Sequence, residues 1–351
     1  MSEPILPRDA TLRDAVRVIE QTRRLIAAVV DEQNRLLGIL SDGDIRRAIL
    51  RGMDLDGPAN KAMTAEPIVA QASADDRALC DLMITRGVAA IPVVDEQGRF
   101  VRVAELYDFK SEHNWTGGEG YFAAVIMAGG EGRRLLPLTL DRPKPMIDIG
   151  GVPLLERQVR SMVKSGLKRI YISTNYLGHV IEDHFGSGSG FGANIEYIRE
   201  NKPLGTAGAL SLLPSRPLGP ILVINGDILT TFDFGKLLDY HRETSAFITV
   251  AAMRYRVEIP FGVLRVDGER AVAIEEKPAE TFHCNAGIYV LGQEALAMIP
   301  ADRRIDMTDV IEMSIKSDRK ISVFPIHEYW ADIGTPGDLE VASRRFRNAG
   351  I

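Results

Sequence analysis

Only two cysteines, Cys80 and Cys284, occur in 351 residues. They are too few and too far apart for a disulfide framework or a zinc pattern, so a reducing, cytoplasmic setting is expected. No apolar run approaches the roughly 20 residues that a membrane-spanning helix needs. Met1 to Leu12 is mostly polar, so neither a secretory signal nor a membrane partner is expected. An excess of positive charge is also missing: 42 Lys and Arg against 48 Asp and Glu leave a net charge of −6. That balance argues against a nucleic-acid partner, although a small phosphorylated ligand needs only a local basic pocket. The six histidines, at 113, 179, 184, 241, 283 and 327, show no ligand spacing and no adjacent nucleophile, which leaves Ser/His/Asp and Cys/His catalysis without support.

The remaining composition, 45 % apolar and 26 % charged, is that of an ordinary globular protein long enough for two domains with their own cores. A repeat marks the first of them. Val29-Val30-Asp31-Glu32-Gln33-Asn34-Arg35 recurs 64 residues later as Val93-Val94-Asp95-Glu96-Gln97-Gly98-Arg99, an offset that also places Asp108 on Asp44. Each copy reads as helix, short apolar strand, turn, second strand and helix. Polar, glycine-rich residues from Ser111 to Gly120 then mark a connection. The division expected is a tandem module over 1–116, a linker over 117–120 and a second domain over 121–351.

The second domain opens on Ala123-Ala124-Val125-Ile126-Met127, an apolar run that reads as a buried strand. Ala128-Gly129-Gly130-Glu131-Gly132 follows, a loop whose glycines let backbone N–H groups approach phosphate oxygens. Arg133, Arg134 and Lys144 put positive charge beside it, as a triphosphate requires. No Gly-Lys-Ser/Thr follows, so this is not a Walker A loop. Downstream, helical spacing over 155–165 alternates with strands at 168–174, 195–199 and 221–224 and with helices at 206–213 and 234–243. Such alternation predicts an α/β fold, a three-layer Rossmann-like domain with a mixed, mostly parallel sheet and its ligand at the carboxyl ends of the strands.

The string Gly-Gly-x-Gly-x-Arg-Leu through Pro143-Lys144-Pro145-Met146 resembles the signature of the sugar-1-phosphate nucleotidyltransferases. The resemblance runs from Tyr121 to about Phe346 and implies attack by a sugar 1-phosphate on a nucleoside triphosphate with release of pyrophosphate. By that likeness Ala128, Gly129, Gly130 and Gly132 cradle the nucleotide, and Arg133 and Lys144 act catalytically. Pro203-Leu204-Gly205-Thr206-Ala207-Gly208 is similar to the base-reading loop, with Gly205 and Thr206 near the base edge. Glu200 adds a chemical argument: a carboxylate only accepts, so it suits the adjacent N1–H and N2–H donors of guanine, and GTP is the expected nucleotide. Asp227, after the strand Ile221 to Ile224, and Asp332 match the two acids that hold Mg²⁺, a cation that prefers oxygen ligands and phosphates. Gly262, Glu276, Lys277 and Asn285 match the sugar-phosphate site.

The repeated module resembles a pair of CBS domains, tandem modules that often bind adenine nucleotides. Gly38-Ile39-Leu40-Ser41-Asp42-Gly43-Asp44 matches the family element, which implies phosphate contact at Ser41 and ribose contact at Asp44 for an adenine nucleotide or another effector. Ser41 and Asp44 equally suit a plain helix cap, and both readings stand at this point. In the second copy Arg102 and Glu105 replace Gly38 and Ser41, and a carboxylate at the phosphate position repels a nucleotide. A CBS pair joined to a transferase looks like the glucosamine-1-phosphate guanylyltransferases of bacterial legionaminic-acid pathways. Glucosamine 1-phosphate is therefore the expected sugar, with a GDP-sugar for cell-surface glycan as product. Mannose 1-phosphate is the runner-up, and a glucose-1-phosphate thymidylyltransferase comes next. A different class, an inactive nucleotide-sensing scaffold, stays open. A homo-oligomer is expected.

Overall fold

The computed structural model describes residues 3–86, 88–105, 122–215, 217 and 219–349. They form two compact units, Met1–Trp115 and Thr116–Ile351. Asp108 and the expected linker at 117–120 lie outside the described residues.

In the first unit, strands β1 (Ile5–Pro7), β2 (Ile26–Val30) and β3 (Leu36–Ser41) make one sheet, and β4 (Ala70–Gln71), β5 (Ala90–Val94) and β6 (Phe100–Glu105) make another. Helices α1 (Leu12–Thr22), α2 (Asp42–Leu50) and α3 (Asp76–Arg86) complete the copies. The 64-residue repeat survives as register: Ile26 pairs with Ser41 and Ala90 with Glu105, while Val30 pairs with Leu36 and Val94 with Phe100. The repeated aspartates explain the repeated turn. Asp31 Oδ1 accepts from the N–H groups of Gln33 and Arg35, and Asp95 Oδ1 from those of Gln97 and Arg99; such Asx turns replace backbone bonds that the bend removes. The opening strands β1 and β4 were not apparent in the sequence, because two or three residues carry no readable period.

Ser41 and Asp44 close a capping box on α2: Ser41 N and Oγ both donate to Asp44 Oδ2, and Asp44 N donates to Ser41 Oγ. Asp44 also pairs with Arg47 at 2.8 Å. Glu105, at the matching place in the second copy, is buried and accepts from Leu25 N at 2.6 Å and from Arg24 at 3.2 Å. Its carboxylate ties one copy to the other.

The second unit is built on a seven-stranded sheet in the order β11-β10-β7-β12-β17-β14-β18. In chain order its strands are β7 (Ala123–Met127), β8 (Asp148–Ile149), β9 (Val152–Pro153), β10 (Arg169–Thr174), β11 (Asn194–Arg199), β12 (Ile221–Asn225), β13 (Ile228–Thr230), β14 (Ile248–Glu258), β15 (Gly262–Asp267), β16 (Arg270–Glu276), β17 (Ala279–Leu291), β18 (Ile321–Ile326) and β19 (Trp330–Asp332). Its helices are α4 (Leu154–Lys164), α5 (Gly178–Phe185), α6 (Gly205–Gly208), α7 (Phe234–Thr244), α8 (Gln293–Ala297), α9 (Met307–Lys316) and α10 (Pro336–Ala349). β11, β10, β7 and β12 run parallel; β17 runs antiparallel to β12 and β14, and β18 is parallel to β14. The sheet is buried on both faces, one core gathering Ile126, Leu155, Val159 and Phe324 and the other Val125, Tyr171, Val223 and Met307. That double cover is why its central strands read as continuous apolar runs.

The helix expected over 206–213 is shorter than its spacing suggested. α6 spans four residues and tightens into a 3₁₀ turn, Ala209–Leu212, before Leu213 turns extended ahead of Pro214, as a residue preceding proline prefers.

One buried titratable group lies on α7. His241 hydrogen-bonds Thr249 Oγ1 through Nδ1 at 2.8 Å, and burial pushes its pKa down to about 4 from an ordinary 6.5. Above pH 6.5 both folded and unfolded forms are neutral. Below it the unfolded chain takes up a proton that the native state refuses, so up to about 3 kcal/mol is lost between pH 6.5 and 4. His241→Gln, which keeps a partner for Thr249, is expected to flatten the fall of the thermal midpoint over that interval. An unchanged pH profile refutes the assignment.

Candidate active site

The order of strands reverses on either side of β7, since the chain moves to β10 and β11 on one side and later returns to β12 on the other. A crevice outside the carboxyl ends of these strands is the place where open α/β sheets bind ligands. The loop after β7 runs along it. Gly132 has φ +64°, and a Cβ there would lie 2.8 Å from Lys144 Cβ, so the close approach of loop and lysine requires glycine.

Lys144, on a 3₁₀ turn behind Pro143, is buried. Its Nζ lies 2.5 Å from Asp227 Oδ2 and 3.8 Å from Asp332 Oδ1. Two short strands bring the acids together: β13 and β19 pair Ile228 with Asp332, and Ile333 N donates to the Asp227 carbonyl at 2.9 Å. Burial, and then the Asp227 carboxylate, raise the Asp332 pKa, while Lys144 and Arg134 oppose them. From below, Gln158 on α4 donates through Nε2 to the carbonyls of Asn225 at 3.0 Å and Ile228 at 2.7 Å, bracketing Asp227.

Glu200 closes the other wall at the end of β11. Ser173 Oγ donates to its Oε1 and Leu204 N to its Oε2, the latter at 3.0 Å. The next turn is stapled to the start of α9: Thr206 N donates to Asp306 Oδ1 at 2.9 Å, and Met307 N donates to Thr206 Oγ1 at 2.9 Å. Gly205 has φ +81°, and a Cβ would come within 2.6 Å of Asp306 Oδ1 and the Ile305 carbonyl. No other residue fits there without moving α9.

Between these walls lies a cavity of about 340 Å³ lined by Ala128, Gly129, Gly130, Lys144, Glu200, Gly205, Thr206 and Asp227 among the residues singled out from the sequence. Ser173, Asn225, Arg304 and Asp306 also line it. The sequence offered no signal for the last two, which reach the cavity only because α9 packs against α6.

The remaining predicted residues lie outside that lining. Arg133 is 82 % exposed and pairs with Glu131 at 2.5 Å, a contact that raises its pKa. The neighbouring Arg134 is the arginine whose charge acts on Asp332, and its guanidinium lies against Gly334. The Gly-x-Arg-Leu spacing held that signal, since the arginine preceding Leu135 is Arg134. Gly262 pairs with Glu276 across β15 and β16, and Lys277 follows with φ +47°. Asn285 on β17 accepts from Gly287 N through Oδ1 at 3.0 Å. These four are exposed.

Asp227 and Asp332 offer hard oxygen donors, and burial first, with the neighbouring Asp227 carboxylate second, raises Asp332 and disfavours its charge. A divalent cation relieves that cost, so the donor set fits Mg²⁺.

The family model for nucleotidyl transferases matches residues 123–348, and that for CBS domains matches 1–51 and 59–112. The chain belongs to the nucleotidyl transferase family. Its second unit has the family's α/β fold, and a CBS pair precedes it. Similar proteins include a mannose-1-phosphate guanylyltransferase of Mycobacterium tuberculosis, 35 % identical over 222 residues, which are 62 % of each chain. A putative mannose-1-phosphate guanyltransferase of Sulfolobus acidocaldarius is 34 % identical over 62 % of this chain and 60 % of that one. The match thus spans about three fifths of the length of these relatives. Among solved structures, a putative glucose-1-phosphate thymidylyltransferase from Bacillus anthracis in complex with a sucrose shares the fold, with a TM-score of 0.53 at 24 % identity over 65 % of this chain and 96 % of that one. HddC from Yersinia pseudotuberculosis complexed with GMP-PN has a TM-score of 0.50 at 28 % identity, covering 64 % of this chain and 99 % of its own. Among the described residues no helix is long and apolar enough to cross a membrane.

Proposed function

We propose that the second unit is a mannose-1-phosphate guanylyltransferase, joining GTP and mannose 1-phosphate into GDP-mannose and pyrophosphate. The observation that carries the reaction class is Lys144, buried against Asp227 and 3.8 Å from Asp332 in the cavity beside the glycine loop that follows β7. Support for mannose comes from the relatives, which bear that sugar in their names; the preference for glucosamine 1-phosphate rested on domain arrangement alone and gives way to it. Support for guanine comes from the acceptor-only Glu200 and from the guanylyltransferase names.

A phosphate oxygen of the sugar phosphate attacks the α-phosphorus, and the bond from that phosphorus to the β-bridging oxygen breaks as pyrophosphate leaves. The nucleophile is already an anion, so no general base is required, and catalysis is positioning plus charge neutralisation. Backbone N–H groups of Gly129 and Gly130 face the triphosphate, Lys144 neutralises charge around the α-phosphate, and Arg134 takes the place first given to Arg133. Lys277 and Glu276 hold the sugar phosphate. Mg²⁺ held by Asp227 and Asp332 would supply further charge neutralisation between phosphate oxygens.

Pyrophosphate release, measured with Mg²⁺ for GTP, UTP, dTTP, CTP and ATP against mannose, glucosamine, N-acetylglucosamine and glucose 1-phosphates, tests this reading. GTP with mannose 1-phosphate is expected to be the fastest pair. A faster glucosamine reaction restores the domain-arrangement reading. Silence across the grid in a protein that still binds GTP points to the scaffold class.

A further inference from the structure

Arg304 stands on the cavity lining just before α9. Its backbone is held on both sides by the turn that carries Gly205. Ile305 N donates to the Leu204 carbonyl at 3.0 Å, and Ala207 N and Gly208 N donate to the Ile305 carbonyl at 3.1 and 3.2 Å. One residue earlier in the chain, the Arg303 carbonyl lies so close that a Cβ on Gly208 would come within 2.7 Å of it. The arginine therefore belongs to the Leu204–Gly208 wall of the cavity and not to the wall of Lys144 and Asp227.

Only two cationic side chains occur among the lining residues, Lys144 and Arg304. Lys144 is taken by Asp227. The Arg304 side chain is exposed and makes no hydrogen bond or ion pair with any described residue, Glu200 included, although that carboxylate lines the same cavity. Neighbouring donors are already spent, Leu204 N and Ser173 Oγ on Glu200 and Thr206 N on Asp306. Arg304 adds five N–H donors in a rigid fork.

A guanine whose N1–H and N2–H face Glu200 leaves its O6 and N7 unread. These are two adjacent acceptors, and no other base presents such a pair on that edge: adenine sets N7 beside an N6–H donor, cytosine offers a donor, and thymine or uracil sets O4 beside carbon. A guanidinium matches O6 and N7 with two parallel N–H bonds. We infer that Arg304 donates to O6 and N7 of the bound guanine, so that Glu200 and Arg304 grip adjoining edges of one ring. Arg304 takes this role only if guanine is the base, as the carboxylate of Glu200 argues.

Isothermal titration of the full chain with Mg²⁺ and without sugar phosphate, so that nothing turns over, tests this with GTP, 7-deaza-GTP, ITP and UTP. In 7-deaza-GTP a C–H replaces N7, and ITP lacks the N2 amino group. The wild type is expected to bind 7-deaza-GTP at least about tenfold more weakly than GTP, the usual cost of one hydrogen bond to a charged group. Arg304→Ala is expected to lose at least about tenfold for GTP and to bind GTP and 7-deaza-GTP alike. ITP should stay weaker than GTP by one factor in both proteins, because the missing amino group faces Glu200. Equal wild-type Kd values for GTP and 7-deaza-GTP beside a weaker UTP overturn the assignment of Arg304 and leave the guanine reading intact. UTP bound as tightly as GTP overturns both. A variant that binds all four nucleotides more weakly by one factor places Arg304 on phosphate or ribose and refutes the base contact. Should the variant not fold, the wild-type comparison of GTP with 7-deaza-GTP decides alone.

Discussion

Asp227→Asn is expected to lower kcat by about 10³-fold while the protein stays folded. Removing one pre-organised group aimed at charge in the transition state typically costs 10² to 10³, or about 3 to 4 kcal/mol, and this aspartate serves two such functions. It stands 2.5 Å from the Lys144 ammonium, and it is half of the donor pair that fits Mg²⁺. Its loss therefore loosens the lysine and the cation together. Stability should fall far less. The side chain is partly exposed, asparagine preserves its shape, and the buried ammonium keeps Asp332, 3.8 Å away. Single-turnover rates at saturating substrates, read beside thermal melts, separate the two effects. A folded variant with a rate near wild type overturns the assignment of Asp227 to the reacting phosphates.

The architecture was legible where period and burial coincide. β7 and the first four residues of β12 are apolar because both faces of the sheet are covered, and the tandem repeat reappears as identical ladder register in two copies. The cavity was legible in part. Residues contributed by one continuous loop, from Ala128 to Gly130, could be read directly, and so could Glu200 and Asp227 at strand ends. Arg304 and Asp306 could not. They reach the cavity because Gly205 lets α6 lie against the start of α9, a contact across about a hundred residues that no local period encodes. The two adjacent arginines differ in surroundings that composition does not distinguish: Arg133 pairs with Glu131 in solvent, and Arg134, the one directly before Leu135, is the one whose charge acts on Asp332. At the CBS pair the structure gives Ser41 and Asp44 a complete capping box, so their residue types are explained by the helix they begin.

The second large effect concerns the base. Glu200→Gln is expected to lower the ratio of kcat/KM for GTP over UTP by about 10²-fold or more, because a site built to hydrogen-bond one partner rejects a mismatch by such factors. The geometry explains why the change is confined to recognition. Leu204 N donates to one carboxylate oxygen and Ser173 Oγ to the other. In the glutamine variant the amide oxygen keeps the Leu204 N–H, and the amide nitrogen donates to Ser173 Oγ, whose hydroxyl turns to accept. The loop anchor survives. The face presented to the base changes: two acceptors opposite the N1–H and N2–H of guanine become one acceptor beside one donor, which opposes guanine and suits the N3–H and carbonyl of uracil or thymine. Steady-state rates for GTP, UTP and dTTP with one sugar phosphate give the ratio directly. A fall in all three rates at a constant ratio assigns Glu200 to anchoring Leu204 alone and removes the argument that its carboxylate selects guanine.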